Sequence, residues 1–112
     1  MKRNIFSEGL SAIIDDGRLV LCGDLTQHNS CALLEWLQKL SPINRVDLAE
    51  LDIEDGVAAT RAVDAVRLLS ARVSVLCLNG VPQVLAHNLY RIGLLGAGNI
   101  ELVDMRQDEP YG

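Results

Sequence analysis

The stretch between Arg45 and Arg72 constrains the fold of this chain most, because it passes from one structural period to another. At its start, the residues Val46-Asp47-Leu48 alternate between apolar and polar as a half-buried strand does. Further on, apolar residues recur at helical spacing, at Ala58, Ala62, Ala65 and Leu69. Between the two patterns lie four carboxylates within six residues, at Glu50, Asp52, Glu54 and Asp55. The sequence therefore predicts a strongly acidic strand-to-helix junction, at the end of a strand where open α/β sheets usually meet their ligands.

Similar patterns along the whole chain predict its fold class. Strand patterns occupy residues 10–14, 19–22, 43–48, 73–78 and 100–103, and a helical pattern follows the second, third and fourth of them. Asp15-Asp16-Gly17 predicts a hairpin between the first two strands, because both central positions tolerate positive φ. The later strands are separated by helices, which favours parallel pairing through right-handed crossovers. The predicted fold is α/β, with a mixed sheet of about five strands (an N-terminal hairpin, the remainder largely parallel) and three main helices in the order β-β-α-β-α-β-α-β.

The ends of the elements carry their own signals. Asp55 is predicted to cap the second helix, and Asn29 or Ser30 the first. Residues 79–82 are predicted to form a turn, and glycines from Gly93 onward to end the third helix. The residues predicted to share one core are Leu21, Val46, Leu48, Val75, Leu76, Leu85 and Leu89.

Length and charge exclude several classes of protein. The 112 residues suit a single domain, with a core over about residues 10–103 and a polar tail at 104–112. A net charge of -5 without a basic stripe argues against nucleic-acid binding. No apolar run reaches the ~20 residues of a membrane span, and the first residues lack the apolar region of a signal peptide. We therefore expect a cytoplasmic protein with no direct membrane insertion.

No pattern in the chain is typical of catalysis. There is no phosphate-binding glycine loop and no nucleophile elbow, and Cys22, Cys31 and Cys77 match neither a disulfide framework nor a zinc motif. His28 and His87 stand in no catalytic pattern. Residues 50–56 are predicted to form an acidic turn, which could hold a hard cation although it lacks the EF-hand spacing. We expect no catalytic residue, no metal site and no cofactor.

Several short motifs in order resemble the STAS domain, the fold of bacterial anti-sigma-factor antagonists. They cover about residues 10–103 and comprise Gly23-Asp24-Leu25, Asp47, Asp55, Leu76-Cys77-Leu78-Asn79-Gly80-Val81, Leu89 and Gly93-Leu94. The resemblance implies a regulatory protein-binding module acting in signal transduction and transcription regulation.

The chain departs from the family pattern at the phosphorylation site. In typical antagonists the aspartate before the second helix is followed by a hydroxyl residue that a partner kinase phosphorylates. The matching positions here are Gly56 and Val57, which have no hydroxyl group. Any phosphate is therefore expected elsewhere, with Thr60, Thr26 and Ser30 as candidates. The carboxylates near Gly56 already supply negative charge, as a phosphate would.

These observations lead to one functional hypothesis and two alternatives. We expect a non-enzymatic module that binds a cytoplasmic protein, either an anti-sigma-like kinase or a regulatory complex. The residues expected to contact the partner are Asp24, Thr26, His28, Glu50, Asp52, Glu54, Asp55, Gly56 and Thr60. The alternatives are an accessory subunit of a membrane transporter, as some STAS domains are, and a small metal-dependent enzyme. Whether the chain forms a homodimer is left open.

Overall fold

A computed structural model describes residues 2–105, apart from the side chains of Ala97 and Met105. The strands are β1 (Lys2–Ile5), β2 (Ser11–Asp15), β3 (Arg18–Leu25), β4 (Arg45–Ile53), β5 (Leu76–Val81) and β6 (Ile100–Met105). The helices are α1 (Ser30–Gln38), α2 (Gly56–Ser70) and α3 (Gln83–Arg91), with short 3-10 turns at Ser7–Gly9 and Leu95–Ala97. Most of the polar tail, residues 106–112, lies outside the described residues.

The strands form one six-stranded sheet in which their spatial order equals their order in the sequence. β1, β2 and β3 pair antiparallel, and β3 to β6 pair parallel, so the predicted mixed α/β sheet with three helices is confirmed. Each crossover moves one strand further in the same direction, and right-handed connections then put all three helices on one face of the sheet. The buried core lies between that face and the helices, and the other face carries none of the three helices.

The predicted hairpin and the predicted end of the third helix are both present. Asp16 and Gly17 have φ of 50° and 80°, as the tight turn between β2 and β3 requires. At the end of α3, Gly93 donates its N–H to Tyr90 O at 3.1 Å and Leu94 donates to Leu89 O at 3.0 Å. This pair of bonds is the Schellman motif, with Gly93 at φ 81°.

The strand count is a correction, because β1 was not predicted. Its sequence, Lys-Arg-Asn-Ile, has one apolar residue and no alternation. β1 lies at the edge of the sheet and pairs with β2 from Lys2↔Ile14 to Ile5↔Ser11. A polar edge strand leaves no periodic pattern, since neither of its faces has to be buried.

The bounds of β5 are a second correction. The apolar run 73–78 was predicted as the strand and 79–82 as a turn, but the strand is Leu76–Val81 and so includes Asn79 and Gly80. Val75 precedes the strand and is 41% exposed, so its place in the predicted core is wrong. The other six predicted core residues are buried. The residues after α2 cross from the helix to the sheet, and this connection takes up the first part of the apolar run.

Arg72 closes the C-terminal end of α1. Its guanidinium group donates to the carbonyl oxygens of Leu37 at 3.1 Å, Gln38 at 2.9 Å and Leu40 at 3.3 Å. Leu37 O also accepts the Leu40 N–H at 3.2 Å. The last carbonyls of a helix lack the usual intrahelical donors, and a cation is favourable at this end of the helix dipole. One side chain therefore ties the connection after α2 to α1. Within residues 2–105, no helix is both long enough and apolar enough to cross a membrane.

Candidate functional site

The acidic residues converge where β3 and β4 end. In the parallel register Asp24 is the partner of Asp52, and Glu54 donates its N–H to Leu25 O at 3.0 Å. Residues paired in this way project from the same face of a sheet, so Asp24 and Asp52 lie side by side. The structure thus brings together carboxylates that are far apart in the sequence. We call Asp24, Glu50, Asp52 and Glu54 the acidic edge.

The turn predicted for residues 50–56 is wrong in its first part, because residues 50–53 belong to β4. A bulge in β4 turns the acidic edge outward. Val20 pairs with Asp47 and Cys22 with Glu50, so Leu21 faces two residues, Leu48 and Ala49. Before the bulge, the inward positions of β4 are Val46 and Leu48. Had that period of two continued, Glu50 and Asp52 would point into the core. The extra residue shifts the alternation, so that Leu51 is buried while Glu50 and Asp52 are exposed.

Gly80 makes room for this bulge. Its φ is 66°, and a Cβ atom added there would lie 2.7 Å from Ala49 Cα, a contact that real side chains do not make. Gly80 therefore allows β4 to bulge against β5, and the bulge in turn orients the acidic edge. The Asn79-Gly80 pair was predicted as a turn, and the pairing with β4 converts it into an irregular strand.

The carboxylate of Glu54 lies close to other negatively charged side chains. The carboxylate of Asp24, which repels it and hydrogen-bonds to its side chain, raises the pKa of Glu54. Desolvation and the charges of Asp52 and Asp55 raise the pKa further. The fold thus brings Asp24 of β3 close enough to Glu54 to disfavour the ionisation of Glu54.

Asp55 has a different role, because its carboxylate is used within the fold. As predicted, it caps α2: Oδ1 accepts the Ala58 N–H at 2.8 Å. Oδ2 accepts the Gln27 N–H at 3.0 Å, which joins the start of α2 to the loop before α1. The bond from Ala58 is the main cause that lowers the pKa of Asp55, and nearby His28 adds to the effect. Asp55 therefore positions the two loops beside the acidic edge.

The loop before α1 is organised by a residue that was predicted only as a helix cap. Asn29 is 1% exposed, and its Oδ1 accepts the Thr26 N–H at 2.9 Å. Its Nδ2 donates to Ser7 O and Asp24 O, both at 2.8 Å. Asn29 occupies the N-cap position of α1, as predicted, but its side chain makes no cap bond to the helix. Ser30, the alternative cap, is the first residue of α1, and its Oγ is buried without a partner. No sequence signal marks the bond from Asn29 to Ser7, which lies 22 residues away.

Thr26 closes the turn that precedes α1. Its Oγ1 accepts the N–H groups of His28 at 3.2 Å and Asn29 at 3.3 Å, and its carbonyl accepts the Ser30 N–H at 3.0 Å. Thr26 is 8% exposed, so this predicted contact residue is structural. His28 is exposed beside Asp55 and remains available to a partner.

The three hydroxyl residues predicted as possible phosphorylation sites differ in their exposure to solvent. Thr60 is exposed on the first turns of α2, and its Oγ1 donates to Gly56 O at 3.1 Å. Thr26 and Ser30 are buried, which leaves Thr60 as the accessible one of the three. Gly56 is exposed, and a Cβ atom added there would meet nothing within 4 Å. The position that matches the family phosphosite therefore faces solvent next to the acidic edge.

Among residues 2–105, no three His, Cys, Asp or Glu side chains are arranged to hold a metal ion. Comparison with models of known protein families and with curated proteins found no match to this chain.

Proposed function

We propose that this chain is a non-enzymatic regulatory module that binds a cytoplasmic protein partner through the acidic edge and the start of α2. The observation that carries the proposal is the crowding of Glu54 and Asp24, whose like charges meet where β3 and β4 end. Exposed carboxylates held together reduce the stability of a fold, and such departures from local preference are typical of functional sites. A basic surface on a partner would relieve the repulsion, and the acidic edge would speed its approach.

The resemblance to STAS domains supports the same surface. In antagonists of that family the partner kinase acts at the start of the second helix. Here Gly56 has no hydroxyl group, and Asp24, Asp52 and Glu54 gather beside it. We propose that this permanent negative charge replaces a reversible phosphate, and that the partner is an anti-sigma-like kinase or a regulatory complex built from related proteins.

The proposal is tested by neutralising the acidic edge. The immobilised chain is used to capture partners from its native cell, and the captured protein is purified and its Kd measured directly. For the triple variant Glu50→Gln, Asp52→Asn, Glu54→Gln we expect a Kd at least about tenfold weaker, because the charges that pair with the partner are lost. Wild-type binding should also weaken as salt shortens the Debye length, which is about 8 Å at physiological ionic strength.

A matched control removes the same number of charges elsewhere. Asp15, Asp16 and Glu35 are exposed, and Asp15 and Asp16 lie at the hairpin, away from the acidic edge. The variant Asp15→Asn, Asp16→Asn, Glu35→Gln should bind as wild type does. Equal Kd values for wild type and the acidic-edge variant would refute the proposal. Capture of membrane-transporter subunits instead would favour the accessory-subunit alternative.

A further inference from the structure

A second surface, separate from the acidic edge, is a groove of about 430 Å³ between α2 and α3. Val63 and Ile92 supply its apolar lining, and Ile92 is 45% exposed. Arg67 and the exposed carboxylate of Asp64 border the groove on α2, and Arg91 and Asn88 border it on α3. The groove therefore combines two apolar side chains with two cations and one anion.

The groove extends along both helices, because α2 and α3 run in the same direction. Both helices lead into strands of the parallel part of the sheet, so their N-terminal ends lie at the same edge. On α3, Val84 lies one turn before Asn88 on the same side of the helix and is 44% exposed. On α2, Val57 lies one turn before Thr60 on the same side of the helix and is 42% exposed. The groove thus continues toward two exposed valines at its N-terminal end.

The charge of the groove is opposite to that of the molecule. The chain carries a net charge of -5, yet the charged side chains that line the groove, Asp64, Arg67 and Arg91, sum to +1 (two cations and one anion). Within the described residues the ion pair found is Arg18–Asp47, at 2.9 Å, and neither groove arginine takes part in one. Arg67 and Arg91 lie in the last turns of their helices, where a cation is favourable. The helix dipole explains why both residues are cationic, but it does not require both of them to border the same groove.

We propose that this groove binds an acidic amphipathic helix of a protein partner. Two packed helices have axes about 8–10 Å apart, and the groove between them takes the side chains of a third helix. Apolar residues of that helix would contact Val63, Ile92 and the exposed valines, and its carboxylates would pair with Arg67 and Arg91. Charge complementarity selects an acidic helix over a basic one. This surface is independent of the acidic edge.

The test uses a defined probe, a fluorescein-labelled helical peptide with a leucine stripe flanked by glutamates. Its counterpart has lysine at every glutamate position. We expect the acidic peptide to bind, with amide chemical-shift changes in NMR spectra confined to α2 and α3, and the lysine peptide to bind at least about tenfold more weakly. The double variant Arg67→Glu, Arg91→Glu should no longer bind the acidic peptide and should bind the lysine peptide instead.

Two controls separate binding from folding and from self-association. Arg67→Gln, Arg91→Gln removes the charges without reversing them, and Arg3→Glu, Arg45→Glu reverses two exposed arginines away from the groove. The first variant should weaken binding of the acidic peptide, and the second should leave that binding unchanged. Equal binding of both peptides, or shift changes outside α2 and α3, would overturn the proposal. It would also be overturned if the chain self-associates in sedimentation and both the groove variant and the acidic-edge variant abolish this, because the occupant would then be a second copy.

Discussion

The side chain of Asn29 shows how much of the site depends on one residue. Both ends of its amide are bonded: the oxygen accepts from Thr26 at 2.9 Å and the nitrogen donates to Ser7 and Asp24, both at 2.8 Å. These bonds hold the loop that leads from the acidic edge into α1. A buried polar group that loses its partner costs more than the lost bond itself contributed.

We therefore expect Asn29→Ala to lower the free energy of unfolding by about 2–3 kcal/mol, because three backbone groups would lose their partner. Urea denaturation followed by circular dichroism measures the change. Gln27→Ala is the control, since Gln27 is exposed and only its backbone N–H bonds to Asp55. Similar losses in the two variants would show that the Asn29 side chain is not the organising residue.

At this scale the sequence predicted functions that depend on neighbours along the chain. Asp55 was correctly predicted as a helix cap, because a cap and the amide that it binds are three residues apart. Asn29 occupies the predicted cap position, but its side chain bonds to Ser7, 22 residues away. The crowding of Glu54 by Asp24 was also hidden, since it depends on the register of β3 and β4.

Among the elements, α2 connects the two proposed surfaces. Its N-terminal end lies beside the acidic edge, where negative charge is favourable to the helix dipole, and Arg67 lies in its last turn. The charges that we assign to binding are therefore compatible with the helix that carries them. This explains how one short helix can present both signs of charge.

Two glycines differ in the space around them: a Cβ atom at Gly56 would meet nothing within 4 Å, whereas one at Gly80 would lie 2.7 Å from Ala49 Cα. Gly56→Ser should leave the unfolding free energy unchanged or raise it by up to about 1 kcal/mol, because the space is open and the unfolded chain loses freedom. Gly80→Ser should lower it by about 2–4 kcal/mol, because the positive φ and the contact with Ala49 both oppose a Cβ atom. Thermal and urea denaturation of both variants checks this.

The Gly56→Ser variant also probes the proposed loss of the phosphosite. After incubation with ATP and an anti-sigma-like kinase, intact-mass analysis should show no phosphate at position 56 of the wild type, since Gly56 has no hydroxyl group. A phosphate on the Gly56→Ser variant would show that kinase recognition survives. A marked loss of stability in Gly56→Ser would contradict the open helix start.

The element boundaries that were predicted correctly are those with local signals. The tight turn at Asp16-Gly17 and the stop at Gly93 need only their own backbone angles. β1 and the true bounds of β5 could not be predicted, because an edge strand needs no apolar face and because Gly80 acquires its role only against Ala49 of β4. Pairing between distant strands decides these cases.

At the scale of the whole molecule, the acidic edge and the Asp55 cap affect global stability with opposite dependence on pH. The pKa of Glu54 is raised, so the folded state disfavours its charged form and loses stability as pH rises through that pKa. The pKa of Asp55 is lowered, so its contribution is present above its ordinary pKa and is lost as pH falls toward the folded value. Neutral pH is therefore where Glu54 costs most and where Asp55 contributes in full.

We expect Glu54→Gln to be more stable than wild type at neutral pH, with the difference shrinking toward zero as pH falls through the raised pKa of Glu54. Asp55→Asn should be less stable than wild type at neutral pH, because one amide oxygen replaces two carboxylate oxygens that accept bonds from Ala58 and Gln27. That deficit should narrow only at more acidic pH, below the ordinary pKa of an aspartate, which is about 3.9. Urea denaturation of the three proteins from neutral to acidic pH gives both curves. A Glu54→Gln variant that is less stable than wild type at neutral pH would show that Asp24 and Glu54 do not repel each other in the folded chain, and would remove the main support for the acidic edge as a binding surface.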